Sequence, residues 1–400
     1  MNRLRRIVEW LRPAARRLPE AIKQPLRGWL ARARASAAFA ETSSAAAAIA
    51  GAGYAARVAA ETSIFADQVE VHDLPPIFHY WSNTWLRPQL EAFGFSNPDQ
   101  FFASYLQRSC SEVTAQCPHT VRIASLGSGN CDTEVRVARL LVESGVDDFV
   151  IECIDINPAM LERGRILARN AGVSEHVAVT VGDFNDWRPH HRYDAVLANQ
   201  SLHHVMDLEG LFAAVENALM PDGRFITSDM IGRNGHMRWP EAMRIVREYW
   251  RELPDKYRWN VQLRRHEALL EDWDCSNAGF EGIRAQDILA LLVARFDFEF
   301  FFAYGNLVDP FIDRGFGPNF DADAQWDRSF IDRVHARDEA EILAGRITPT
   351  HMMAVLRRRP YTGKRMYRDG LPPEYCVRHD NRVRNDDHAR EQSGRQHVPD

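Results

Sequence analysis

The twelve residues from Val121 to Asp132, VRIASLGSGNCD, constrain this chain more than any other stretch. Val121 to Leu126 suit a buried strand, and they run without a break into Gly127-Ser128-Gly129-Asn130. A helix is predicted to open near Asp132-Thr133-Glu134, with Val135, Val137, Leu140 and Leu141 at the spacing of one buried face. Strand, glycine turn and helix in that order place backbone N–H groups and the positive end of a helix beside a polar ligand. Glycine lets a ligand approach the backbone and supplies dihedrals that other residues resist. By itself the turn is weak, because many α/β proteins carry one and bind nothing there.

Four further strand ends sharpen the pattern. A strand over Phe149–Ile154 ends in Asp155, followed by Ile156-Asn157-Pro158 at the start of a helix. Another over Val177–Val181 ends in Gly182-Asp183-Phe184, and one over Tyr193–Ala198 ends in Asn199-Gln200-Ser201-Leu202-His203-His204. Pro221-Asp222-Gly223 then leads into a fifth strand, Arg224–Ser228. Open α/β sheets bind ligands at the carboxyl ends of their strands, and an acid ending the second strand is where a nucleotide places its ribose hydroxyls.

In combination these motifs resemble the class I S-adenosylmethionine-dependent methyltransferases, in their small-molecule branch. The resemblance covers residues 120 to 231. It implies that Gly127, Ser128 and Gly129 hold the methionine part of the cofactor, that Asp155 binds the ribose and that Asp183 caps the adenine. Ile156, Phe184 and Asn199 are counted to the same site. The family usually shows a glycine triplet, and here Cys131 stands at the third place. A dinucleotide fingerprint is excluded: it would need glycine at Asp132, and Asp155 follows Gly127 by 28 residues instead of roughly 20.

The fold class expected is therefore α/β, a Rossmann-like, seven-stranded, mostly parallel sheet with helical insertions and an N-terminal helical lid. The sheet domain is placed at 120–356, with insertions at 231–295 and 304–350. The aromatic-rich segment 61–119, with Phe78, Tyr80, Trp81, Trp85, Phe101, Phe102 and Tyr105, is the expected lid, although each of these rings could equally pack a helix onto the sheet edge. Strand six is read at Phe298–Ala303, strand seven at His351–Leu356, and a disordered tail from Arg357.

Charge bears on partners. The chain carries a net charge of -6, but residues 1–35 hold nine Arg and one Lys against two Glu. The acidic body disfavours nucleic acid as a substrate. The basic arm, with Leu4, Ile7, Val8 and Leu11 at helical spacing, suits an anionic membrane surface, a transit peptide or a solvated extension. Residues 41–60 are Ala/Ser-rich, and the apolar run within them is too short to span a bilayer. The six cysteines show no metal or disulfide spacing, which points to a reducing, cytoplasmic setting.

Methyl transfer to a hydroxyl needs in-line placement and a group that removes a proton. The candidates are His203 and His204 after strand four, Asp229 at the end of strand five, and His236 in a glycine-flanked loop. His190, His191 and His266 are lesser ones. No N-P-P-[YF] motif follows strand four, which disfavours adenine and glutamine as acceptors. Asp229 with Asn234 is too small a cluster to assign a metal. The insertion residues Asp272, Trp273, Asp274, Glu281, Arg284 and Asp287 would suit a sugar. The acceptor expected is a small molecule or glycan, methylated on oxygen. A lipid or quinone at a membrane surface is the alternative, and a SAM-binding scaffold without catalysis is a third reading.

Overall fold

The computed structural model describes residues 53–54, 57–58, 62, 74–116, 119–277 and 280–378. The basic stretch 1–35, most of 41–60 and the chain beyond residue 378 lie outside the described residues.

Strands whose side chains are apolar on both faces must be covered on both faces. β1 (Val121–Leu126), β2 (Phe149–Asp155) and β4 (Tyr193–Asn199) are of that kind. Ile123, Ile151, Ala195 and Leu197 point into one core, while Ala124, Leu126, Ile154, Val196 and Ala198 point into the other. β3 (Val177–Val181) lies at one sheet edge, and β5 (Leu219–Met230) runs beside β4. Two further long strands, β8 (Asp297–Tyr304) and β9 (His351–Arg357), complete the other half. The sheet order is β10-β8-β9-β5-β4-β1-β2-β3; β9 alone is antiparallel to its neighbours.

α4 (Asp132–Glu143) follows β1, α5 (Pro158–Asn170) follows β2, and α6 (Leu208–Ala218) lies between β4 and β5. α4 buries Val135, Val137, Ala138 and Leu141, while Leu140 is only half-buried. The order of strands reverses between β1 and β4, so their carboxyl ends open a crevice at that point.

Three expectations are corrected. The sheet has eight strands, because β10 (Met366–Tyr367) pairs in parallel with Phe300–Phe301 on β8. Consequently residues 357–378 are folded and not a disordered tail: Leu371 and Cys376 are buried, the latter in a short helix, α11 (Pro373–Cys376). Polar composition hid these anchors. The third correction concerns the lid. α1 (Pro76–Trp81), α2 (Arg87–Glu91) and α3 (Pro98–Gln116) contribute no residue to the crevice. Their rings pack instead: Phe95, Phe101 and Tyr105 surround Phe300 of β8. Trp85 donates to Asp332 at 2.8 Å and Trp81 to His335 at 3.2 Å, both on α10 (Gln325–Leu343).

The predicted insertion 231–295 is not uniform. It includes α7 (Pro240–Glu252), a two-stranded hairpin of β6 (Trp259–Asn260) and β7 (Arg265–His266), and α8 (Ala285–Arg295), which packs beside α6 as a regular crossover helix before β8. α9 (Asp309–Ile312) and α10 lie between β8 and β9.

Away from the crevice, the aliphatic stretch of β5 carries Arg224, buried between α3 and β8. Its guanidinium donates to Glu112 at 2.8 Å, Ser109 at 3.0 Å and Glu299 at 3.0 Å, and Arg357 reaches Glu299 at 3.1 Å. Among the described residues no helix is long and apolar enough to cross a membrane.

Candidate active site

The glycine turn does less by hydrogen bonding, and more by shape, than its sequence suggests. Gly127 and Ser128 N–H both donate to the carbonyl of Ile154, at 2.8 and 3.2 Å, and Gly129 N–H donates to Asp155 Oδ2 at 2.8 Å. These three donors staple β1 to β2 and are not left over for a ligand, a correction to the expected row of N–H groups. What the glycines supply is space. Gly127 has φ +68°, and a Cβ there would lie 2.6 Å from the Ser201 Cβ and 3.1 Å from the Phe184 ring.

Cys131 replaces the third glycine while keeping its conformation, at φ 57°. Room for its side chain comes from α5: a Cβ on Gly164 would stand 2.5 Å from Cys131 Sγ. Gly164→Ala is therefore expected to cost about 1–3 kcal/mol by overpacking. Thermal unfolding checks this, and Cys131→Ala added to it should recover part of the loss; a neutral single substitution would mean that α5 shifts freely.

Asp155 is fixed at the end of β2 by a second donor, Asn157 N–H on Oδ1 at 2.8 Å. Asn157 in turn caps α5 through Ala159 N–H at 3.1 Å. Asp183, after β3, accepts from Asn185 N–H at 2.9 Å and from the Tyr54 hydroxyl. Burial first, and then Asp183, push the Tyr54 hydroxyl well above its usual range, so it stays a donor. Tyr54, upstream of the expected lid, and Thr62, at its very start, thus reach the crevice that α1–α3 do not. Glu134, on the first turn of α4, is buried and donated to by Ser125 at 2.6 Å; burial pushes its carboxyl up to about 7. Asn199 donates to Thr133 at 3.0 Å.

Across the crevice stands a wall of three histidines and one glutamate. Asp229 lies behind it, fully buried. Its Oδ2 accepts from Ser201 N–H at 2.9 Å and Leu202 N–H at 2.7 Å; Oδ1 meets His203 Nδ1 at 2.7 Å. A carboxylate so engaged does not face a substrate, so Asp229 is a positioning residue and not one that touches the acceptor. It puts the Nδ1 proton on His203 and leaves Nε2 on the crevice side, 3.6 Å from Glu281 Oε1. Burial would lower the His203 pKa, but Asp229 and then Glu281 outweigh it and hold the ring up to about 10. At neutral pH His203 already carries its proton, which removes it as a general base.

His236 is placed by an unusual backbone. Gly235 (φ 64°) and His236 (φ 55°) are both left-handed, a conformation rarely held by residues other than glycine without a local reason. The reason is a close approach: Gly235 N–H donates to the Gly282 carbonyl at 2.9 Å, and Ile283 N–H donates to the His203 carbonyl at 3.0 Å. Three loops are knitted together, and Glu281 sits at their meeting point. His236 Nε2 is 2.6 Å from Glu281 Oε1, and His204 Nε2 is 3.4 Å from Oε2. Burial lowers the His236 pKa despite Glu281. For Glu281, burial works toward a raised pKa, but His203 and His236 hold the carboxyl far below the usual range.

The crevice, of about 700 Å³, is lined by Gly127, Ser128, Gly129, Asp155, Ile156, Asp183, Phe184 and Asn199 on one side and by His203, His204, His236 and Glu281 on the other. Of the cofactor residues and the four principal base candidates, only Asp229 stands outside its surface. His190, His191 and His266 are exposed and line no part of it. The sugar platform expected in the insertion is not assembled. Asp272 engages Arg233 and Arg238, Asp274 holds Ser276, Asp287 and Arg284 pair with each other, and Trp273 is exposed outside the crevice. Glu281 alone of that set reaches the site. Tyr54, Asn185, Met230 and Arg314 also line it and carry no sequence signal beyond their loops.

A family model for a methyltransferase domain matches residues 120–273. No curated protein matches the sequence. Among solved structures, the chain is similar to a geranyl diphosphate methyltransferase in complex with SAM, with 15% identity, 64% of this chain and 84% of that chain covered, and a TM-score of 0.35. A geranyl diphosphate C-methyltransferase from Streptomyces coelicolor A3(2) shows 13% identity, 76% and 98% coverage and a TM-score of 0.38. A glycopeptide N-methyltransferase shows 18% identity, 34% and 56% coverage and a TM-score of 0.25.

Proposed function

We propose that this chain, a class I S-adenosylmethionine-dependent methyltransferase whose residues 120–273 match the family model, moves the methyl group to a hydroxyl of a small molecule or glycan. The observation that carries the acceptor side is the wall of His203, His204, His236 and Glu281, which shares one crevice with the glycine turn, Asp155 and Asp183.

The cofactor would lie along the β1 and β2 ends. Asp155, held at the end of β2 by the Gly129 and Asn157 N–H groups, lines the crevice and would meet the ribose hydroxyls. Asp183, backed by Tyr54, would meet the adenine. The glycine turn would take the methionine part by close backbone approach, beside the buried Glu134. The sulfonium would then face the β4 end and the histidine wall.

In the transfer an O–C bond forms as the C–S bond breaks, the sulfonium charge disappears and the acceptor oxygen gives up its proton to the wall. His204 is placed to receive it. A carbon or unactivated amine acceptor would make less use of so polar a wall.

The test incubates the full chain with methyl-labelled S-adenosylmethionine and panels of sugars and phenols, and follows S-adenosylhomocysteine and methylated product by mass spectrometry. Label on an acceptor oxygen is expected. Label recovered only on carbon or nitrogen would overturn the oxygen assignment.

A further inference from the structure

We infer that His203, His236 and Glu281 form a binding site for one divalent transition-metal ion at the acceptor end of the crevice. Among the described residues they are the one set of three such side chains whose ligand atoms all lie within 4.8 Å of one another. Two of the spacings are known individually: Glu281 Oε1 is 2.6 Å from His236 Nε2 and 3.6 Å from His203 Nε2. An ion about 2.1 Å from each ligand holds neighbouring ligand atoms about 3.0–3.4 Å apart, so small adjustments in opposite senses close the site.

The second support is the shell behind the ligands. A metal-binding imidazole commonly donates its other nitrogen to a carboxylate, which fixes its tautomer and direction. His203 does this with Asp229 at 2.7 Å, and Asp229 is itself pinned by the Ser201, Leu202 and Met230 N–H groups. The backbone bonds between residues 203 and 283 and between 235 and 282 hold the three ligand loops in register before any ion arrives. The left-handed turn at Gly235 and His236, which the Gly235–Gly282 bond holds, leaves the His236 ring against Glu281 at 2.6 Å.

Two imidazoles and one carboxylate suit zinc, iron(II), manganese(II) or cobalt(II). Magnesium and calcium, which take oxygen ligands, fit poorly. Three ligands leave positions open toward the crevice. The negative charge of Glu281 and Asp229, on either side of the His203 ring, favours a cation at Nε2. The chemical role rests on the methyltransferase reading above. An acceptor hydroxyl bound at an open position would be acidified by the ion and lose its proton to His204, and its oxygen would then attack the methyl carbon as the C–S bond breaks.

The experiment uses the full chain, stripped with chelator and then titrated with cobalt(II), read by its visible spectrum, and with zinc by calorimetry. S-adenosylmethionine binding is measured separately on the stripped protein. One equivalent of metal is expected, with Glu281→Gln and His236→Gln weakening it by more than about 10-fold and Asp229→Asn by about 10- to 100-fold. Both direct ligand variants lie on partly exposed loops, and circular dichroism confirms that they fold. Absence of stoichiometric metal uptake by a protein that still binds S-adenosylmethionine overturns the metal site and leaves the methyltransferase reading standing. Equal metal affinity in wild type, Glu281→Gln and His236→Gln overturns it too, because the ion then sits elsewhere. Metal bound at this site by a chain that methylates no hydroxyl leaves the site intact and removes the oxygen-methylation reading.

Discussion

Asp155→Asn is expected to weaken S-adenosylmethionine binding by about 100-fold or more, measured by calorimetry, while lowering the melting temperature by only a few degrees. Charged hydrogen bonds are each worth about 1.5–3 kcal/mol, and a factor of ten in affinity is about 1.4 kcal/mol. The carboxylate has two functions at once. It receives Gly129 and Asn157 N–H on separate oxygens, and so ties the glycine turn to the start of α5. It also lines the crevice, where the ribose would meet it. Asparagine can serve one of the two N–H groups with its oxygen, but its amino group then faces the other donor. The turn must open slightly or the side chain must rotate away, and either movement removes the ribose partner. Asp155→Glu would keep the charge and shift it outward along the crevice, so an affinity intermediate between wild type and Asp155→Asn is expected. If Asp155→Asn bound the cofactor as tightly as wild type, the ribose would lie elsewhere and the assignment of the whole crevice would fall with it.

The cofactor half of the site was legible because its residues are set by local chain geometry. A strand, a tight turn and a helix follow each other within a few residues, so Gly127, Asp155 and Asp183 fall at strand ends that the pattern of apolar residues already marks. The acceptor half was legible only in part. His203 and His204 follow β4 closely, and His236 follows Gly235 in a short loop, so all three could be nominated. Their meeting at Glu281 could not, because it depends on a backbone pairing between residues 235 and 282 across a long insertion. Burial also reversed roles that residue type suggested: Asp229, an acid at a strand end, faces backwards and serves His203. The aromatic segment misled for a related reason. Aromatic side chains suit a lid and a helix–sheet contact equally, and only the position of β8 decides that Phe95, Phe101 and Tyr105 belong to the latter. The eighth strand escaped because two residues, Met366 and Tyr367, carry no period.

Arg224→Met, outside the crevice, is expected to lose about 3 kcal/mol in denaturant unfolding. Removing one member of a buried ion pair costs about 3–5 kcal/mol, because the partner charge stays behind without compensation. Here the partners differ. Glu112 is partly exposed and can turn to water, whereas Glu299 is buried and retains Arg357 at 3.1 Å. That remaining pair is why the loss belongs at the lower end of the range. Glu299→Gln added to Arg224→Met should recover stability only partly, since it relieves the stranded charge but leaves Arg357 without its acid. Cofactor affinity should be unchanged in both, because Arg224 begins the continuous parallel register of β5 with β4, which runs to Ser228, and Asp229 and the crevice lie beyond its other end. A loss below about 1 kcal/mol would show that water already reaches Glu299. A fall in S-adenosylmethionine affinity at constant stability would mean that the crevice is sensitive to the packing of α3 on the far end of the sheet. The helical segment before the glycine turn would then act on the site at a distance, although it contributes none of its lining.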